Sequence, residues 1–320
     1  MRVLLLGGAG FIGVHLARRL RAAGHAVTVV DDFSRGRRDT ALDGLAADVR
    51  SADLTDPASY AGLERGWDQI HMLAAVVGVR NVESDPARVI RVNTLALMHL
   101  LEWLGPGDRL FFASTSEAYA GGVSAGLVPV PTPEDVPLVI EDVGAPRYTY
   151  AISKALGEAA VLHTARAKGF EAVVGRFHNV YGPRMGADHV IPELSLRAAR
   201  GENPFTLYGA DQSRAFCYVD DAVEAVLRLM ATPEAAGRIV HIGNDAETNI
   251  GDLAKLVLRI AGVNPAVRHV PAPAGSVARR CPDLTLLRDL TGYEPRVALE
   301  EGVRRTYEWY RESYPGTGTP

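Results

Sequence analysis

The chain has 320 residues, 47% of them hydrophobic and 22% charged, which is enough to bury a full α/β core and a smaller lobe. Its formal net charge of −4 and pI near 6.2 do not indicate the excess of basic residues that binding to nucleic acid or to an anionic membrane surface requires. Its two cysteines and nine histidines lack the spacing of a disulfide framework or a metal site, so we expect no metal.

The first predicted strand, Val3 to Leu6, leads directly into a glycine-rich turn. Three glycines stand three residues apart, at Gly7, Gly10 and Gly13. The predicted helix begins with the apolar pair Phe11 and Ile12. The first glycine suits the tight turn, the second lets the backbone approach a pyrophosphate, and the third allows helix and strand to pack closely. The pattern predicts a dinucleotide at the positive end of the helix.

The second predicted strand, Ala26 to Val30, ends in the acidic pair Asp31 and Asp32. A carboxylate here accepts hydrogen bonds from the adenosine ribose and repels a 2′-phosphate, which favours NAD over NADP. Ser34 and Arg35 belong to the same predicted cofactor loop. Arginines at positions 35, 37 and 38 could instead pair with a 2′-phosphate, or simply form a solvated basic loop.

Five further apolar runs follow, with helical patterns between most of them: Ala47 to Ala52, Gln69 to Ala74, Arg109 to Ala113, Ala172 to Phe177 and Arg238 to Ile242. This alternation predicts an α/β fold, a Rossmann-type doubly wound parallel sheet of about seven strands. We assign residues 1–181 and 212–246 to this NAD-binding domain and residues 182–211 and 247–314 to a smaller substrate-binding lobe. Residues 315–320 are expected to form a flexible tail.

The candidate catalytic residues follow the fifth strand and open a later helix. Thr115, Ser116 and Glu117 come at the sheet edge where the nicotinamide is expected. Tyr150 and Lys154 are four residues apart, which places them on one helical face. A phenol with a pKa near ~10 is a weak base at neutral pH, and a nearby ammonium lowers that pKa by favouring the phenolate. We therefore expect Lys154 to activate Tyr150, which takes the proton of a substrate hydroxyl held by Thr115 while the hydride leaves to NAD.

Ten segments together resemble the extended short-chain dehydrogenase/reductase family, in particular its nucleotide-sugar enzymes, over essentially the whole chain. They are GGAGFIG (7 to 13), DDFSRG (31 to 36), ADLTD (52 to 56), HMLAA (71 to 75), VNTLA (92 to 96), STSEAY (114 to 119), YAISK (150 to 154), NVYGPR (179 to 184), SRAFCYVDD (213 to 221) and RRCPDL (279 to 284).

The resemblance implies further residues for both ligands. Those expected to flank the adenine or line the cofactor channel are Asp53, Leu54, Leu73, Ala74, Ala75 and Asn93. Those expected to hold the nucleoside diphosphate of a sugar are Asn179, Val190, Leu207, Tyr208, Arg214 and Arg280. Arginine suits the second task because its planar, permanently charged fork bonds phosphate bidentately.

Among these enzymes, the Thr-Ser-Glu triplet with Arg-Arg-x-Pro-Asp looks most like UDP-glucuronic acid decarboxylases. Oxidising C4 of a glucuronate makes a β-keto acid, which loses carbon dioxide once the C4 enolate is stabilised, here by Tyr150 and Thr115. The resemblance implies that Glu117 acts near C5 and that Arg280 contacts either phosphate or the carboxylate. The product is then UDP-xylose or a released UDP-4-keto-pentose.

Several positions around the sugar pocket depart from the decarboxylase pattern: Ala75 to Val79, Ala118, Ala120, His178, where an aromatic residue is usual, and Asp188 to Val190. These departures keep an NDP-sugar 4-epimerase and a 4,6-dehydratase open as alternatives. A non-catalytic NAD sensor or scaffold is disfavoured because Thr115, Tyr150 and Lys154 are all present.

We also expect a homodimer, in which the helices around 88–103 and 150–166 pack as a four-helix bundle. The apolar positions that suggest it could equally be covered by the chain's own core: Val89, Val92, Leu95, Leu97, Leu100 and Leu101. The run Val3 to Leu6 is too short for a signal peptide and no segment approaches a membrane span, so a cytoplasmic location is expected.

Overall fold

The computed structural model describes residues 1–45, 48–272 and 276–314. The tail expected at residues 315–320 and the first residue of the third predicted strand, Ala47, lie outside the described residues. In chain order the strands are β1 (Arg2–Leu6), β2 (Ala26–Asp31), β3 (Asp48–Ser51), β4 (Gln69–Met72), β5 (Arg109–Thr115), β6 (Glu171–Phe177), β7 (Val180–Tyr181), β8 (Phe205–Tyr208), β9 (Ser213–Ala215), β10 (Cys217–Tyr218), β11 (Ile239–Ile242), β12 (Glu247–Asn249), β13 (Val267–Val270) and β14 (Arg279–Arg280).

The helices alternate with these strands, and 3-10 turns occupy Ser116–Tyr119 and Pro233–Ala235. In chain order the helices are α1 (Phe11–Ala22), α2 (Thr40–Asp43), α3 (Ala58–Ala61), α4 (Val79–Ser84), α5 (Pro86–Trp103), α6 (Ala120–Ser124), α7 (Tyr148–Lys168), α8 (Val190–Ala199), α9 (Val219–Ala231), α10 (Ile250–Ala261), α11 (Thr285–Thr291) and α12 (Leu299–Ser313).

The central sheet has seven strands in the order β11-β6-β5-β4-β1-β2-β3, and every neighbouring pair is parallel. The predicted doubly wound sheet is thus confirmed, and each of the seven predicted runs supplies one of its strands. Strand order reverses between β1 and β4. In open α/β sheets such a reversal leaves a crevice beyond the carboxyl ends of the strands, where ligands bind.

Burial on both faces explains why the strands read as continuous apolar runs. Val3 and Leu5 of β1 point into a core shared with α1 and α9, whereas Leu4 and Leu6 point into a second core under α5 and α7. All four side chains are fully buried, as expected for alternating side chains of a sheet covered by helices on both sides.

Two helices of the second core carry residues of the candidate site. α5 begins after Asp85, whose carboxylate accepts a hydrogen bond from the Arg88 N–H at 2.9 Å, with Pro86 in the first turn. α7 ends at Gly169, which adopts the left-handed conformation common at helix ends. These signals mark where α5 starts and where α7 stops.

The remaining strands form small sheets beyond the carboxyl edge. β8 pairs with β13, β9 lies between β12 and β14, and β7 pairs with β10. α8, α10 and α12 contribute buried apolar residues to the first core. The division of the chain into two domains stays a prediction. No helix within residues 1–45, 48–272 and 276–314 is long and apolar enough to cross a membrane.

Candidate active site

The turn between β1 and α1 has the geometry that a dinucleotide needs. Gly7 has φ +81°, and a Cβ there would clash with the backbone of Ala74. A Cβ at Gly13 would lie 2.5 Å from the Gly8 carbonyl oxygen, so only glycine lets the helix approach the turn this closely. Gly10 caps α1 in an extended conformation, and no side chain caps this helix end. The positive end of a twelve-residue helix, with Phe11 first, therefore opens at the crevice.

Asp31 lies at the carboxyl end of β2, beside this turn, and is 6% exposed. Its two oxygens accept backbone hydrogen bonds from Ala9 at 2.9 Å and Phe33 at 2.8 Å. Burial raises the pKa of the Asp31 carboxyl above its ordinary value, while these two N–H groups oppose the rise. Because each carboxylate oxygen has two lone pairs, Asp31 can hold the loop and still accept hydrogen bonds from a ribose.

The other predicted adenosine residues lie near Asp31 in different settings. Asp32 is exposed and accepts from the Ser34 backbone and hydroxyl at 2.9 and 2.7 Å. Ala52 donates to the Asp31 carbonyl at 3.2 Å, which brings the exposed Asp53 and the buried Leu54 beside β2. Backbone and hydroxyl hydrogen bonds from Thr55 lower the pKa of Asp53.

Arg35 does not remain beside the predicted ribose site. Its guanidinium crosses the crevice and donates to the Val77 carbonyl. A Cβ at Gly186 would lie 3.3 Å from Arg35 Nη2, so the guanidinium also reaches the segment before α8. The expectation that this arginine could pair with a 2′-phosphate is not supported by this placement.

Residues after β4 form the opposite wall of the crevice. Leu73 and Ala74 donate their backbone N–H groups to the Leu6 carbonyl at 2.8 and 2.9 Å, and Ala75 follows. The Asn93 side chain accepts from the Val76 N–H at 2.7 Å and donates to the Ser153 hydroxyl at 3.1 Å.

Asn93 thus ties this wall to α7. The turn, Asp31 and this wall together fit NAD, whose pyrophosphate would lie over α1 and whose ribose would meet Asp31.

The predicted catalytic residues come together where β5 meets α7. Thr115 ends β5, and its hydroxyl accepts from the Glu117 N–H at 3.3 Å and hydrogen-bonds Tyr150. Lys154 is 3% exposed and donates to the Ala113 carbonyl at 2.7 Å, with its Nζ 5.9 Å from the centroid of the Tyr150 ring. Ser116, between Thr115 and Glu117, is buried.

The pKa of Tyr150 differs from the sequence-based expectation. Burial, and then the Glu117 carboxylate, raise the pKa of Tyr150 above its ordinary value, while the Thr115 hydrogen bond and Arg35 oppose the rise. Lys154 is itself desolvated, and burial lowers its pKa to about 8, with Glu158 opposing. The prediction of a lowered Tyr150 pKa is therefore wrong for this structure, because desolvation of the phenol exceeds the stabilisation of the phenolate.

Glu117 forms an ion pair with Arg280 at the substrate side of this group. Although burial alone would raise it, Arg280, joined by Arg147 and Arg214, holds the pKa of the Glu117 carboxyl below its ordinary value. Burial and the neighbouring Arg280 lower the pKa of Arg214 to about 10. Within the described part of the chain, the buried Arg280 Nε has no hydrogen-bond partner. Three guanidiniums thus act on one carboxylate, an excess of positive charge that suits an anionic ligand.

The remaining predicted substrate residues lie in β8, on α8 and in the connection between β6 and β7. Asn179 has φ +38° and donates to the Ala215 carbonyl at 3.0 Å. Val190 is the first residue of α8 and is 40% exposed. The Leu207 side chain is buried, so this residue can offer a ligand only its backbone, whereas Tyr208 is half exposed.

Sequence reasoning missed Arg147 and the partners of Lys154. Arg147 precedes α7 directly, three positions before Tyr150, and that adjacency is the one sequence signal that could have identified it. Among the described residues, no group of three or more histidine, cysteine or acidic side chains is arranged to hold a metal.

Comparison with known proteins gives a family and several relatives. Residues 3–243 match the profile described as the NAD dependent epimerase/dehydratase family. The UDP-N-acetyl-alpha-D-glucosaminuronate decarboxylase of Bacillus cytotoxicus is 32% identical, over 97% of this chain and 98% of that protein. UDP-glucuronic acid decarboxylase 1 of Xenopus tropicalis is 32% identical, over 97% of this chain and 72% of that protein. The structure of UDP-glucose 4-epimerase from Thermotoga maritima, with UDP-glucose, superposes with a TM-score of 0.86 at 31% identity, covering 98% and 99% of the two chains.

Proposed function

Because the chain belongs to the NAD dependent epimerase/dehydratase family, an extended short-chain dehydrogenase/reductase group, we propose that it is an NAD-dependent UDP-glucuronic acid decarboxylase. The observation that carries the proposal is the Glu117–Arg280 ion pair beside Thr115 and Tyr150. In the proposed reaction this carboxylate and guanidinium would face the C5 side of a C4-oxidised uronate, which supports the proposal. The two decarboxylases at 32% identity support the same chemistry.

Oxidation at C4 is the first step of the proposed reaction. Tyr150 takes the proton of the C4 hydroxyl while the Thr115 hydroxyl holds the same oxygen. NAD, when bound, supplies the acceptor for the C4 hydride. Desolvation raises the pKa of Tyr150, so its phenolate needs the positive charge of Lys154 and of Arg35 close by.

Decarboxylation follows from the ketone at C4, since the uronate carboxylate is then β to a carbonyl. The carbon–carbon bond to the carboxylate breaks, carbon dioxide leaves, and the electron pair delocalises onto the C4 oxygen. Thr115 and Tyr150 stabilise that enolate by hydrogen bonding. Glu117 then directs a proton to C5, either itself or through a water, and hydride return to C4 gives a UDP-pentose.

The arginines would pair with the negatively charged groups of the substrate. Arg214 and Arg280 bond the diphosphate, with Asn179, Val190 and the β8 segment at Leu207 and Tyr208 on the nucleotide side. Arg280 also reaches Glu117. In the proposed complex it would therefore lie between the diphosphate and the reacting carbons. Arg147 adds positive charge at the same place.

A 4-epimerase is the second candidate, and one observation favours it. The Thermotoga maritima epimerase superposes with a TM-score of 0.86 over nearly the whole chain. Epimerisation and decarboxylation share C4 oxidation, so the same Thr115, Tyr150 and Lys154 serve both reactions. The two candidates differ in whether carbon dioxide leaves before the hydride returns.

A substrate panel tests the proposal. The protein is incubated with NAD and, separately, with UDP-glucuronic acid, UDP-N-acetylglucosaminuronic acid and UDP-glucose, and the products are identified by mass spectrometry. We expect UDP-glucuronic acid to lose the mass of carbon dioxide. Turnover of UDP-glucose alone, to its 4-epimer, would replace the proposal with the epimerase.

We further propose that two copies associate through α5 and α7. Val89, Leu97, Leu100 and Leu101 are buried in the chain's own core. The large apolar residues left exposed on the two helices are Ile90, Leu95, Met98 and Leu156. Met98 and Leu156 line one cleft between the helices, which supports a face suited to a second copy. The cytoplasmic location stays a prediction.

A further inference from the structure

A buried ion pair lies directly behind the candidate catalytic residues. The Glu158 and Arg176 side chains are each 3% exposed. Arg176 Nε and Nη2 donate to the two Glu158 carboxylate oxygens, each at 2.8 Å, which is the bidentate geometry of a strong guanidinium–carboxylate pair. Buried charges are costly unless they are paired and hydrogen-bonded, so the stability of the fold depends on keeping these two side chains together.

The pair connects the two elements that present the catalytic side chains. Glu158 is on α7, one helical turn beyond Lys154 and two beyond Tyr150, so the three share a face. Its carboxylate accepts a hydrogen bond from the Ser114 hydroxyl at 2.5 Å, and Ser114 immediately precedes Thr115. Glu158 therefore holds the end of β5 against the helix that carries the predicted base.

Arg176 extends the same connection to β6 and to the loop before α7. It stands opposite Ser114 in the β5–β6 register and donates from Nη1 to the Glu134 carbonyl at 2.9 Å. A guanidinium with three such acceptors has little freedom to move. Glu158 is consequently held in one position beside Lys154.

Glu158 is the carboxylate whose charge acts on Lys154, one helical turn away on the same helix. α7 contributes Tyr150 and Glu158, and β6 contributes Arg176 through its pair with Glu158. β5 contributes the Ala113 carbonyl and the Phe112 ring, whose centroid is 4.8 Å from Lys154 Nζ. α5 contributes the neutral Asn93 amide through Ser153.

We propose that Glu158 is a positioning residue for the reaction, which keeps the Lys154 side chain positively charged and fixes Thr115 relative to Tyr150. The inference rests on the proposed function in that Tyr150 and Lys154 are taken as the base and its partner. Glu158 touches neither substrate nor cofactor, and it acts through Lys154 and Ser114.

The charge state of Lys154 can be measured directly, because the chain contains only three lysines, at positions 154, 168 and 255. Selective ¹⁵N labelling of lysine gives three Nζ resonances, and the variant Lys154→Arg identifies the one of interest. Burial lowers the pKa of Lys154 to about 8, so its resonance in the NAD-loaded and in the NAD-free protein is followed from neutral to alkaline pH. The readout needs no turnover.

Two variants separate the charge of Glu158 from its packing. Glu158→Gln removes the carboxylate and leaves the buried Arg176 charge without an opposite charge, although its bond to the Glu134 carbonyl remains, which is strongly destabilising. Glu158→Gln/Arg176→Met removes both charges and leaves no lone buried ion, so it tests the proposal even where the single variant fails to fold. Glu202→Gln is the matched control, because Glu202 forms a similar bidentate pair with Arg197 on the connection from α8 to β8.

In the double variant we expect the Lys154 titration midpoint to fall, by less than the loss of the carboxylate alone would give because the Arg176 charge is removed as well, with the control unchanged. The alkaline limb of C4 oxidation should move down in parallel. A midpoint in the double variant equal to that of the unmodified protein would overturn the proposal. This outcome is independent of the reaction catalysed, since a missing decarboxylase activity would leave the titration interpretable.

Discussion

The Arg280 guanidinium is paired with the Glu117 carboxylate across 163 residues of sequence. Glu117 belongs to the 3-10 turn that follows β5, and Arg280 is the last residue of β14. The pair therefore joins the carboxyl edge of the central sheet to the small sheet beyond it. In the proposed reaction the same two side chains meet the C5 side of the sugar and its diphosphate.

The first prediction concerns this pair. Glu117→Gln keeps a hydrogen-bonding side chain beside Arg280 but removes its capacity to carry a proton. We expect C4 oxidation to continue while decarboxylation or reprotonation slows, so NADH and a 4-keto species accumulate. Stopped-flow fluorescence measures the accumulation of NADH, and mass spectrometry of quenched samples measures the 4-keto species.

Arg280→Ala distinguishes its two possible partners in the substrate. A higher KM with little change in kcat would indicate diphosphate binding, and a lower kcat would indicate contact with the carboxylate. The double variant Glu117→Gln/Arg280→Ala completes a cycle, and additive effects on kcat would contradict a functional coupling of the pair.

Tyr150→Phe should abolish C4 oxidation and leave NAD binding mostly intact, because only the phenol oxygen is lost. General-base contributions are typically ~10²- to 10⁴-fold, so a drop of that size in kcat is expected. Calorimetric titration with NAD serves as the control for folding. A variant with near-normal turnover would remove Tyr150 from the mechanism.

Replacing Asp31 with Ala should relax the preference for NAD over NADP. The carboxylate accepts hydrogen bonds from Ala9 and Phe33, so binding of both cofactors should weaken, but the ratio of their Kd values should move toward NADP by about tenfold, equal to about 1.4 kcal/mol. Asp43→Asn is the charge-matched control, at an exposed carboxylate outside the predicted cofactor residues. An unmodified protein that binds NADP as well as NAD would refute the role of Asp31.

His178 should make the protein acid-sensitive. Burial, then His241, Arg280 and Arg176, place the pKa of His178 well below its ordinary value, so it is neutral in the folded state. The unfolded chain takes up a proton as pH falls below about 6.5, and the stability that the neutral side chain contributes is lost in that direction.

The expected loss from this one group approaches about 1.4 kcal/mol per pH unit below that point. His178→Phe should reduce the dependence of the unfolding free energy on pH. The variant also lowers stability overall, because it removes the His178 Nε2 atom that lies 3.2 Å from the Tyr119 hydroxyl. Urea unfolding at pH 7 and pH 5 measures the slope, with the exposed His163→Gln as control. Equal slopes in all three proteins would contradict the assignment.

The dimer proposal predicts a solution mass of twice the 34.3 kDa of one chain. Met98→Arg places a charge in the exposed face of α5 and α7 and should give a monomer by light scattering at micromolar concentration. Leu127→Arg, at an exposed apolar residue outside that face, should not change the mass. A monomeric unmodified protein would remove the proposal.

The sheet and the cofactor turn were predictable because their signals are local. Continuous apolar runs such as Val3 to Leu6 report burial on two faces, and the Gly7 turn requires a positive φ that glycine supplies. The juxtaposition of Thr115, Tyr150 and Lys154 is also predictable from sequence, since strand ends and a four-residue helical spacing locate them; their catalytic roles stay a prediction.

What sequence could not provide depends on burial and on long-range contacts. The raised pKa of Tyr150 reflects desolvation, which no spacing reports. Glu158 reads as an ordinary helical acid until its bidentate contact with Arg176 is seen. The path of Arg35 across the crevice to Val77 follows from the tertiary fold, not from its neighbours in sequence.

The fate of the C6 carbon tests the central claim most directly. UDP-glucuronic acid labelled with ¹³C at C6 is incubated with the protein and NAD, and ¹³C NMR follows the label. The account predicts that the label leaves as carbon dioxide and bicarbonate, with an unlabelled UDP-pentose or UDP-4-keto-pentose remaining. Retention of the label in UDP-galacturonic acid, with no labelled carbon dioxide, would contradict the decarboxylase and establish a 4-epimerase.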